Sequence, residues 1–359
     1  MSMTGKERFM TAMRHGQPDR IPLFDFLFMQ DLFLEAIGHR PEAYNAEDAV
    51  ACSLKLGFDS VWVPTDGFAG YAPTKLPDGS YVDEWGTTCK HNNTSWPIDA
   101  PIAYPIQNWE DYKNWSCPNP HDSHRTTSMK VAKKLAEDRI AVLGGVTGPF
   151  TTLFFLMGLE QTCMNVYDEP ELIHAIMRQA TDFGIAAGLH QIEAGADAMI
   201  ISEDLGYNSG TFLSPDCTRS FILPYLREMT AAFRKTGVPL MLHCDGNMNG
   251  ILEDFVHIGM DAWQPLERKG KNDLATIKSK YGSFLTPVGN VDSSITLPFG
   301  TTEDVVRQTL ECMRIGGPGG GYILGSDHSL HDGIPVQNIL TMIETCKKYG
   351  EYPLRLPNA

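Results

Sequence analysis

Eight short apolar runs, most of them rich in Val, Ile or Leu, recur along this 359-residue chain. They are Ile21–Phe26, Ser60–Val63, Ile140–Gly144, Ala198–Ile201, Pro239–Leu242, Ala262–Gln264, Phe284–Val288 and Gly321–Leu324. Their apolar character is nearly continuous rather than alternating, which is typical of strands that are covered on both faces, as in a parallel sheet. The runs therefore predict eight parallel strands.

Helical patterns, with apolar residues at i, i+3 and i+4, separate most of these runs. They are Ser128–Glu137, Glu171–Ala194, Pro215–Lys235, Met248–Ile258, Asp273–Lys280 and Thr302–Ile315. Eight βα units in a chain of this length predict an α/β protein with a (β/α)8 TIM barrel. The alternative is a doubly wound open sheet, but no GxGxxG follows the first strand and no GxxxxGK[ST] occurs. We therefore expect a single barrel domain over residues 1–359.

The interval between the second and third runs is much longer than the others, which predicts an insertion after the second strand. The segment Gly67–Pro120 within it is rich in Gly, Pro, Asn and Trp and poor in helical periodicity. We interpret it as loop and hairpin material over the barrel mouth, where it would form a lid or a substrate wall.

Composition excludes several classes of function. The chain has 29 Lys and Arg against 44 Asp and Glu, a net charge of −15, which argues against binding to nucleic acid or to an anionic membrane. It shows no secretory leader and no run of eighteen apolar residues, so we expect a cytoplasmic protein. The eight cysteines include no CxxC pair, which disfavours disulfides, and the absence of GxSxG disfavours acyl-transfer hydrolysis.

Active sites of such barrels lie at the carboxyl ends of the strands. The polar residues that follow the runs are Asp25, Asp66, Thr147, Glu203, Asp204, His243, Asp245, Gln264, Glu267, Asn290, Asp292, Asp327 and His328. Four of them form a ligand set suited to a divalent metal: Glu203, the His243-x-Asp245 pair and His328. Zinc accepts imidazole and carboxylate ligands, and a catalytic site needs about three protein ligands and one open position. The sequence therefore predicts a metal site at the barrel mouth.

Each of these residues also has a purely structural interpretation. His243 fits a hydrogen-bonded core histidine. Glu203 and Asp204 fit a cap on the following helix or a pair with Arg219, and for Asp204 we favour that interpretation. Cys244 is expected to point away from His243 and to pack in the core, unless the strand ends at Leu242, in which case Cys244 becomes a thiolate ligand.

Substrate contacts are expected from Phe26, Trp62, Asp66, Tyr207 and Asn290. Aromatic residues concentrate near the strand ends, which favours a flat apolar substrate. The alternatives are a turn aspartate for Asp66 and a core aromatic for Trp62. We expect Asp66 and Asp327 to be catalytic, with Asp327 orienting a ligand histidine.

Several longer segments carry a resemblance to a known family. They are MTGKERFMTAMRHGQPDRIPLFDF at the start, GPFTTLFFL at Gly148–Leu156, ISEDLGYNSGTFLSP at Ile201–Pro215, LHCDGNM at Leu242–Met248, VGNVDSS at Val288–Ser294 and GGGYILGSDHSLHDGIPVQN at Gly319–Asn338. In this order, from Thr4 to Pro353, the chain resembles the uroporphyrinogen decarboxylase superfamily. The resemblance implies a (β/α)8 barrel, in agreement with the strand count.

The resemblance favours one branch of that superfamily. True uroporphyrinogen decarboxylases carry an RQAGRY stretch after the first strand that holds the substrate carboxylates, whereas this chain has LFDFLFMQDLF at Leu23–Phe33. The other branch consists of cobalamin-dependent methyltransferases with zinc in the barrel. Its coenzyme M methyltransferases use a His-x-Cys pair and a later Cys, and here these positions are His243-x-Asp245 and His328. Oxygen and nitrogen ligands suit an ether or alcohol oxygen better than a thiol.

Sequences with the HxDGN form are similar to methyltransferase components of O-demethylase systems. The resemblance therefore implies an enzyme that moves a methyl group from a methoxylated aromatic to the cob(I)alamin of a corrinoid protein. It implies Zn²⁺ on Glu203, His243, Asp245 and His328, cobalamin on the partner, and leaves room for a homodimer. The alternatives are transfer from methanol or a methylamine, transfer to a thiol such as coenzyme M, decarboxylation, and a non-catalytic barrel that binds a corrinoid or porphyrin.

Overall fold

The computed structural model describes residues 2–64, 73–91 and 96–357. Its centre is a parallel sheet of six strands: Ser60–Pro64, Ala141–Thr147, Ala198–Ser202, Leu240–His243, Ala262–Gln264 and Thr286–Pro287. Parallel bridges join Val288 to Ile323 and Leu23 to Leu324, and the Asp59 N–H donates to the Leu23 carbonyl at 3.0 Å. These contacts add the first and eighth strands and close the sheet. The predicted (β/α)8 barrel is confirmed, and each of the eight predicted runs contributes to a barrel strand.

The register of the strands places their carboxyl ends at one level. His243 lies opposite Ser202 on one side and Gln264 on the other. The strand residues before it, Leu240 to Leu242, are fully buried, because one face fills the barrel interior and the other meets the helices. Residues that directly follow neighbouring strands can therefore meet at the barrel mouth.

Helices cover the outer face of the barrel. The described residues form Gly5–Met13, Gln30–Ile37, Ala46–Leu56, Trp109–Asn114, His124–Ala136, Pro149–Met157, Leu159–Asp168, Pro170–Glu193, Pro215–Cys217, the π-helical turn Thr218–Ile222, Leu223–Arg234, Leu252–His257, Leu274–Tyr281, Thr296–Phe299, Thr302–Gly316 and Val336–Tyr349. The predicted helix Glu171–Ala194 matches Pro170–Glu193 to within one residue at each end. None of the helices in the described ranges has the length and apolarity required to span a bilayer.

The insertion contains an antiparallel sheet. Its strands are Thr74–Lys75, Ser80–Val82, Thr88–Lys90 and Ala100–Ala103. Arg125 attaches this sheet to the barrel helices, since its guanidinium donates to both carboxylate oxygens of Glu84 at 3.0 and 2.6 Å and lies 4.5 Å from the centre of the Phe183 ring. The expected hairpins are present, but the structure adds the helix Trp109–Asn114. Six residues are too few to show a helical repeat, although Asn108 caps this helix.

Two short ribbons lie beyond the strand ends. Leu27–Phe28 pairs in parallel with Leu330–His331, which extends the contact between the first and eighth strands. Gly206–Tyr207 and Gly210–Thr211 form an antiparallel hairpin after the strand Ala198–Ser202.

Candidate active site

Three side chains converge at the ends of the fourth and fifth strands. Asp204, His243 and Asp245 each offer one ligand atom, and these atoms lie within 4.8 Å of one another. One oxygen of each carboxylate, Oδ1 of Asp204 and Oδ1 of Asp245, is buried and has no hydrogen-bond donor among the described residues. Leaving a buried carboxylate oxygen without a partner is costly, and a cation between the two would satisfy both. We call these three residues the ligand cluster.

Gln264 controls the protonation of His243. The Oε1 atom of Gln264 contacts Nδ1 of His243, and an amide oxygen only accepts, so Nδ1 carries the proton and Nε2 keeps its lone pair. That Nε2 atom lies 3.6 Å from Oδ1 of Asp245. The Nε2 group of Gln264, which is buried, donates to the backbone carbonyl of His328 at 2.9 Å. This one amide therefore fixes the tautomer that a metal requires and ties it to the eighth strand.

His328 lies next to the ligand cluster. Its Nε2 atom is 2.9 Å from Oδ2 of Asp245, and its Nδ1 atom is 2.9 Å from the Ser329 hydroxyl. Burial lowers the pKa of His328, but the Asp245 carboxylate outweighs burial and raises the pKa to about 9. Burial would raise the pKa of Asp245, yet the two neighbouring imidazoles lower it. The structure thus brings together three of the four predicted ligands, His243, Asp245 and His328.

Glu203, the fourth predicted ligand, performs a different task. Its carboxylate accepts hydrogen bonds from the backbone N–H groups of Phe150 at 3.1 Å and Thr151 at 2.9 Å, in the first turn of Pro149–Met157. That helix begins at Gly148, which has no side-chain oxygen to cap it. A Cβ atom on Gly148 would lie 2.2 Å from Oε2 of Glu203. Glu203 therefore caps a helix whose own first residue cannot, and burial raises the pKa of Glu203 to about 8.

Asp204 takes the place in the cluster that the sequence predicts for Glu203, and Glu203 caps the earlier helix Pro149–Met157 rather than the helix that follows it. The Asp204 N–H donates to the Thr151 hydroxyl at 2.7 Å, and the Asp204 carboxylate lies in the ligand cluster. Burial raises the pKa of Asp204, and the nearby Asp245 charge adds to this effect. Arg219, the alternative partner of Asp204, donates to Asp254 at 3.0 Å instead.

Cys244 lies outside the ligand cluster. It is fully buried, its Sγ atom is 3.4 Å from the sulfur of Met248, and burial raises the pKa of the thiol well above its usual range. Cys244 thus packs in the core, as the preferred interpretation of the sequence expects. Its sulfur is not among the three ligand atoms of the cluster.

Asp327 and Asn290 join loops in the structure. The buried carboxylate of Asp327 accepts from the N–H and the hydroxyl of Ser293, both at 2.7 Å, and from the Arg268 N–H at 2.9 Å. The Asn290 amide donates to the Leu266 carbonyl. Asp327 is predicted to orient a ligand histidine and Asn290 to contact the substrate, whereas both side chains here bond to loop residues. The reason is that buried backbone groups of these loops need hydrogen-bond partners.

Two further carboxylates act like Asp327. Asp25 accepts from the N–H of Ser326 at 2.7 Å and from its hydroxyl at 2.8 Å, and Glu267 accepts from the Gly246 N–H at 2.9 Å. Together with Asp327 they connect the segments that follow the fifth, sixth, seventh, eighth and first strands. We call Asp25, Glu267 and Asp327 the rim carboxylates.

Aromatic side chains border the ligand cluster on the side of the first two strands. The Phe26 ring centre lies 5.1 Å from that of His243, 5.0 Å from that of Trp62 and 5.2 Å from that of Phe28. Gly145 permits this packing, because a Cβ atom there would lie 2.1 Å from Nε1 of Trp62. We call Phe26, Phe28 and Trp62 the aromatic wall.

The remaining predicted contacts lie at the periphery or are not described. Tyr207 is half exposed on the hairpin after the fourth strand, where it stacks on Phe212 with ring centres 5.8 Å apart. Asp66 lies outside the described residues. Sequence reasoning assigned no role to Gln264 or Phe28, although Gln264 follows directly from the register that places it beside His243.

Comparison with known proteins identifies the family. The model of the uroporphyrinogen decarboxylase family matches residues 98–349. A uroporphyrinogen decarboxylase of Anaeromyxobacter dehalogenans is 28% identical over 232 residues, which cover 62% of this chain and 62% of that protein. A methylated-thiol–coenzyme M methyltransferase of Methanosarcina mazei is 25% identical over 221 residues, which cover 60% of this chain and 55% of that protein. In neither relative does the match reach two thirds of the protein.

Solved structures agree on the fold. A methyltransferase from Methanosarcina mazei superposes with a TM-score of 0.76 at 20% identity, covering 97% of this chain and 99% of that one. A B12-independent methionine synthase from Shewanella sp. W3-18-1 gives a TM-score of 0.55 at 11% identity, over 93% of this chain and 96% of that one. The family model spans the chain from the insertion to the last helix, and the barrel is the one its relatives share. The chain therefore belongs to the uroporphyrinogen decarboxylase family.

Proposed function

We propose that this chain is a methyltransferase that moves a methyl group from an aryl methyl ether to the cob(I)alamin of a corrinoid protein. The observation that carries the proposal is the ligand cluster of Asp204, His243 and Asp245, with two buried carboxylate oxygens that receive no hydrogen bond from any residue within the described ranges. Methyltransferases are among the relatives and structural neighbours of the chain. A set of carboxylate and imidazole donors favours an oxygen-bound methyl group over a thiol.

The residues of the cluster fit zinc. We propose that Asp204, His243 and Asp245 hold it, and that Asp204 replaces Glu203 in the predicted set. His328 would be the fourth ligand once its Nε2 atom gives up the proton that it donates to Asp245. A bound zinc ion would act as a Lewis acid toward the ether oxygen and so favour departure of the phenolate.

The protein groups around the cluster prepare the site. Gln264 accepts a hydrogen bond from Nδ1 of His243 and so keeps the Nε2 lone pair of His243 available. Asp245 accepts a hydrogen bond from Nε2 of His328. The aromatic wall lies directly against the His243 ring, so a flat donor bound there would have its ring against hydrocarbon and its methoxy group near the cluster. The chain itself would need no nucleophile, because the reduced corrinoid of the partner would supply it.

One alternative has specific support. The match to a methylated-thiol–coenzyme M methyltransferase favours transfer that involves a thiol. The buried position of Cys244 and the oxygen-rich ligand cluster favour the ether donor instead.

The proposal can be tested with the purified chain, zinc and a reduced corrinoid protein. Methyl transfer from a panel of methoxybenzenes is followed by the absorbance change of cobalt on methylation. We expect one zinc per chain and measurable transfer, and we expect His243→Ala to lose both. His257→Ala, at the end of the outer helix Leu252–His257, is the matched control and keeps both. Full transfer by the His243→Ala variant would disprove the site, and transfer from a methylated thiol alone would favour the alternative.

A further inference from the structure

Two histidine side chains face each other among the outer helices, away from the ligand cluster. The Nδ1 atom of His121 lies 2.7 Å from the Nε2 atom of His190, and the ring centres are 5.0 Å apart. His121 directly follows the insertion Gly67–Pro120, and His190 lies in the last turn of the helix Pro170–Glu193. Two possible metal ligands from distant parts of the chain therefore meet at one place. We call His121 and His190 the outer histidine pair.

Glu193 sets the protonation of His190. Its Oε2 atom lies 3.4 Å from Nδ1 of His190, three residues earlier on the same helix. A carboxylate oxygen only accepts, so Nδ1 of His190 carries a proton and the lone pair of Nε2 is directed at His121. Histidines that bind metals are held in the same way, with the outer nitrogen donating to a carboxylate or a carbonyl. The contact with Glu193 thus prepares His190 as a ligand.

A buried arginine fixes the turn that carries His121. The Nε group of Arg125, which is almost fully buried, donates to the Asn119 carbonyl at 2.9 Å. The side-chain oxygen of Asn119 accepts from the His121 N–H at 3.1 Å, and its amide group donates to Asp122 at 2.6 Å. His121 itself is exposed, and the His190 side chain is 33% exposed. An ion in solution can therefore reach two imidazoles whose backbone positions are already held.

The two facing nitrogens are close to the separation that a cation requires. A divalent transition metal lies about 2.0–2.1 Å from each imidazole nitrogen, which at a tetrahedral angle separates the two nitrogens by about 3.3 Å. The observed 2.7 Å falls short of this by about 0.6 Å, and rotation of the exposed His121 side chain supplies that shift. His121 would exchange its Nδ1 proton for one on Nε2, so that both facing nitrogens present lone pairs. Water would complete the coordination.

We propose that the outer histidine pair is a second metal site, separate from the ligand cluster, for a divalent cation such as Ni²⁺, Cu²⁺ or Zn²⁺. Imidazole suits these ions, and Glu193 is the positioning residue. The pair has two protein ligands where the ligand cluster has three, so the first equivalent of zinc fills the cluster and the pair takes up further metal. A bound cation joins the end of the insertion to the helix Pro170–Glu193.

Nickel titration of the chain without an affinity tag tests the proposal. His243→Ala weakens the ligand cluster as a competitor, and calorimetry with Ni²⁺ then counts the remaining sites. We expect the bound nickel to fall by one equivalent per chain when His121→Ala or His190→Ala is added. His257→Ala, on the outer helix Leu252–His257, is the matched control and leaves the count unchanged. A count that neither substitution in the pair lowers would overturn the proposal.

A second variant tests the part played by Glu193. Glu193→Gln removes the carboxylate behind His190, and we expect the nickel affinity of the pair to fall about tenfold, as for other residues that orient a ligand histidine. Glu171→Gln, an exposed position in the first turn of the same helix, should leave the affinity unchanged. Equal affinity in Glu193→Gln and Glu171→Gln would refute the positioning role. Both experiments measure metal binding, so their outcome is separate from that of the methyl-transfer assay.

Discussion

The amide of Gln264 offers the sharpest test of how the site is organised. Gln264→Met keeps the length of the side chain but removes two hydrogen bonds, one from His243 Nδ1 and one to the His328 carbonyl. Each group left without a partner in a buried place costs about 1–3 kcal/mol. Because the His243 side chain is 15% exposed, solvent can relieve part of this loss. We therefore expect the metal-free protein to lose about 2–4 kcal/mol in the free energy of unfolding.

The same substitution should weaken zinc binding. Without Gln264, His243 can adopt the tautomer that protonates Nε2, and partners of this kind contribute about 10- to 100-fold in metal affinity. Competition with a chromophoric chelator measures the affinity, and urea titration measures the stability. Gln179→Met is the control, since Gln179 donates to the Tyr112 hydroxyl at 2.7 Å on the outer helices. Wild-type zinc affinity in Gln264→Met would refute the role given to this amide.

Three further substitutions test other parts of the structure. Gly145→Ala forces a methyl group to within 2.1 Å of the Trp62 indole and should cost about 1–3 kcal/mol in urea unfolding, whereas Gly210→Ala, with open space around it, should change stability by less than about 0.5 kcal/mol. Cys244→Ala should retain zinc affinity and lose about 1 kcal/mol of stability, and loss of the metal would make Cys244 a ligand. Burial lowers the pKa of His15, so the folded state binds its proton less readily than the unfolded state and stability falls as the pH drops below about 6.5. His15→Asn, which tolerates the left-handed φ of 61°, should flatten this fall, and an unchanged pH profile of unfolding would contradict the assignment.

The barrel could be predicted because its strands are covered on both faces. Runs such as Ala198–Ile201 are apolar throughout, and their order fixes which strands are neighbours. The mouth could be located for the same reason, since polar residues such as His243 and His328 follow the strands directly. The single domain over residues 1–359 and the homodimer stay predictions.

The choice between Glu203 and Asp204 could not be made from their own segment. Two acidic residues in succession leave the strand end in opposite directions, and the loop decides which one faces inward. The sequence around Gly148 does contain a signal for the role of Glu203. The helix that begins with Gly148-Pro149 has no side-chain cap of its own, so its free N–H groups can be capped by a carboxylate from another strand. The role of Gln264 required the strand register, which no local pattern contains.

The rim carboxylates and the ligand cluster are separate sets of residues. Asp25, Glu267 and Asp327 hold neighbouring loops together through backbone N–H groups and hydroxyls, while Asp204, His243 and Asp245 take no part in those bonds. During divergence, a donor atom at the cluster can be exchanged for a softer or harder one without loosening the scaffold that presents it. Under the proposed function, one architecture would in this way pass between thiol and oxygen chemistry by substitutions at the cluster that leave the hydrogen bonds of the rim carboxylates in place.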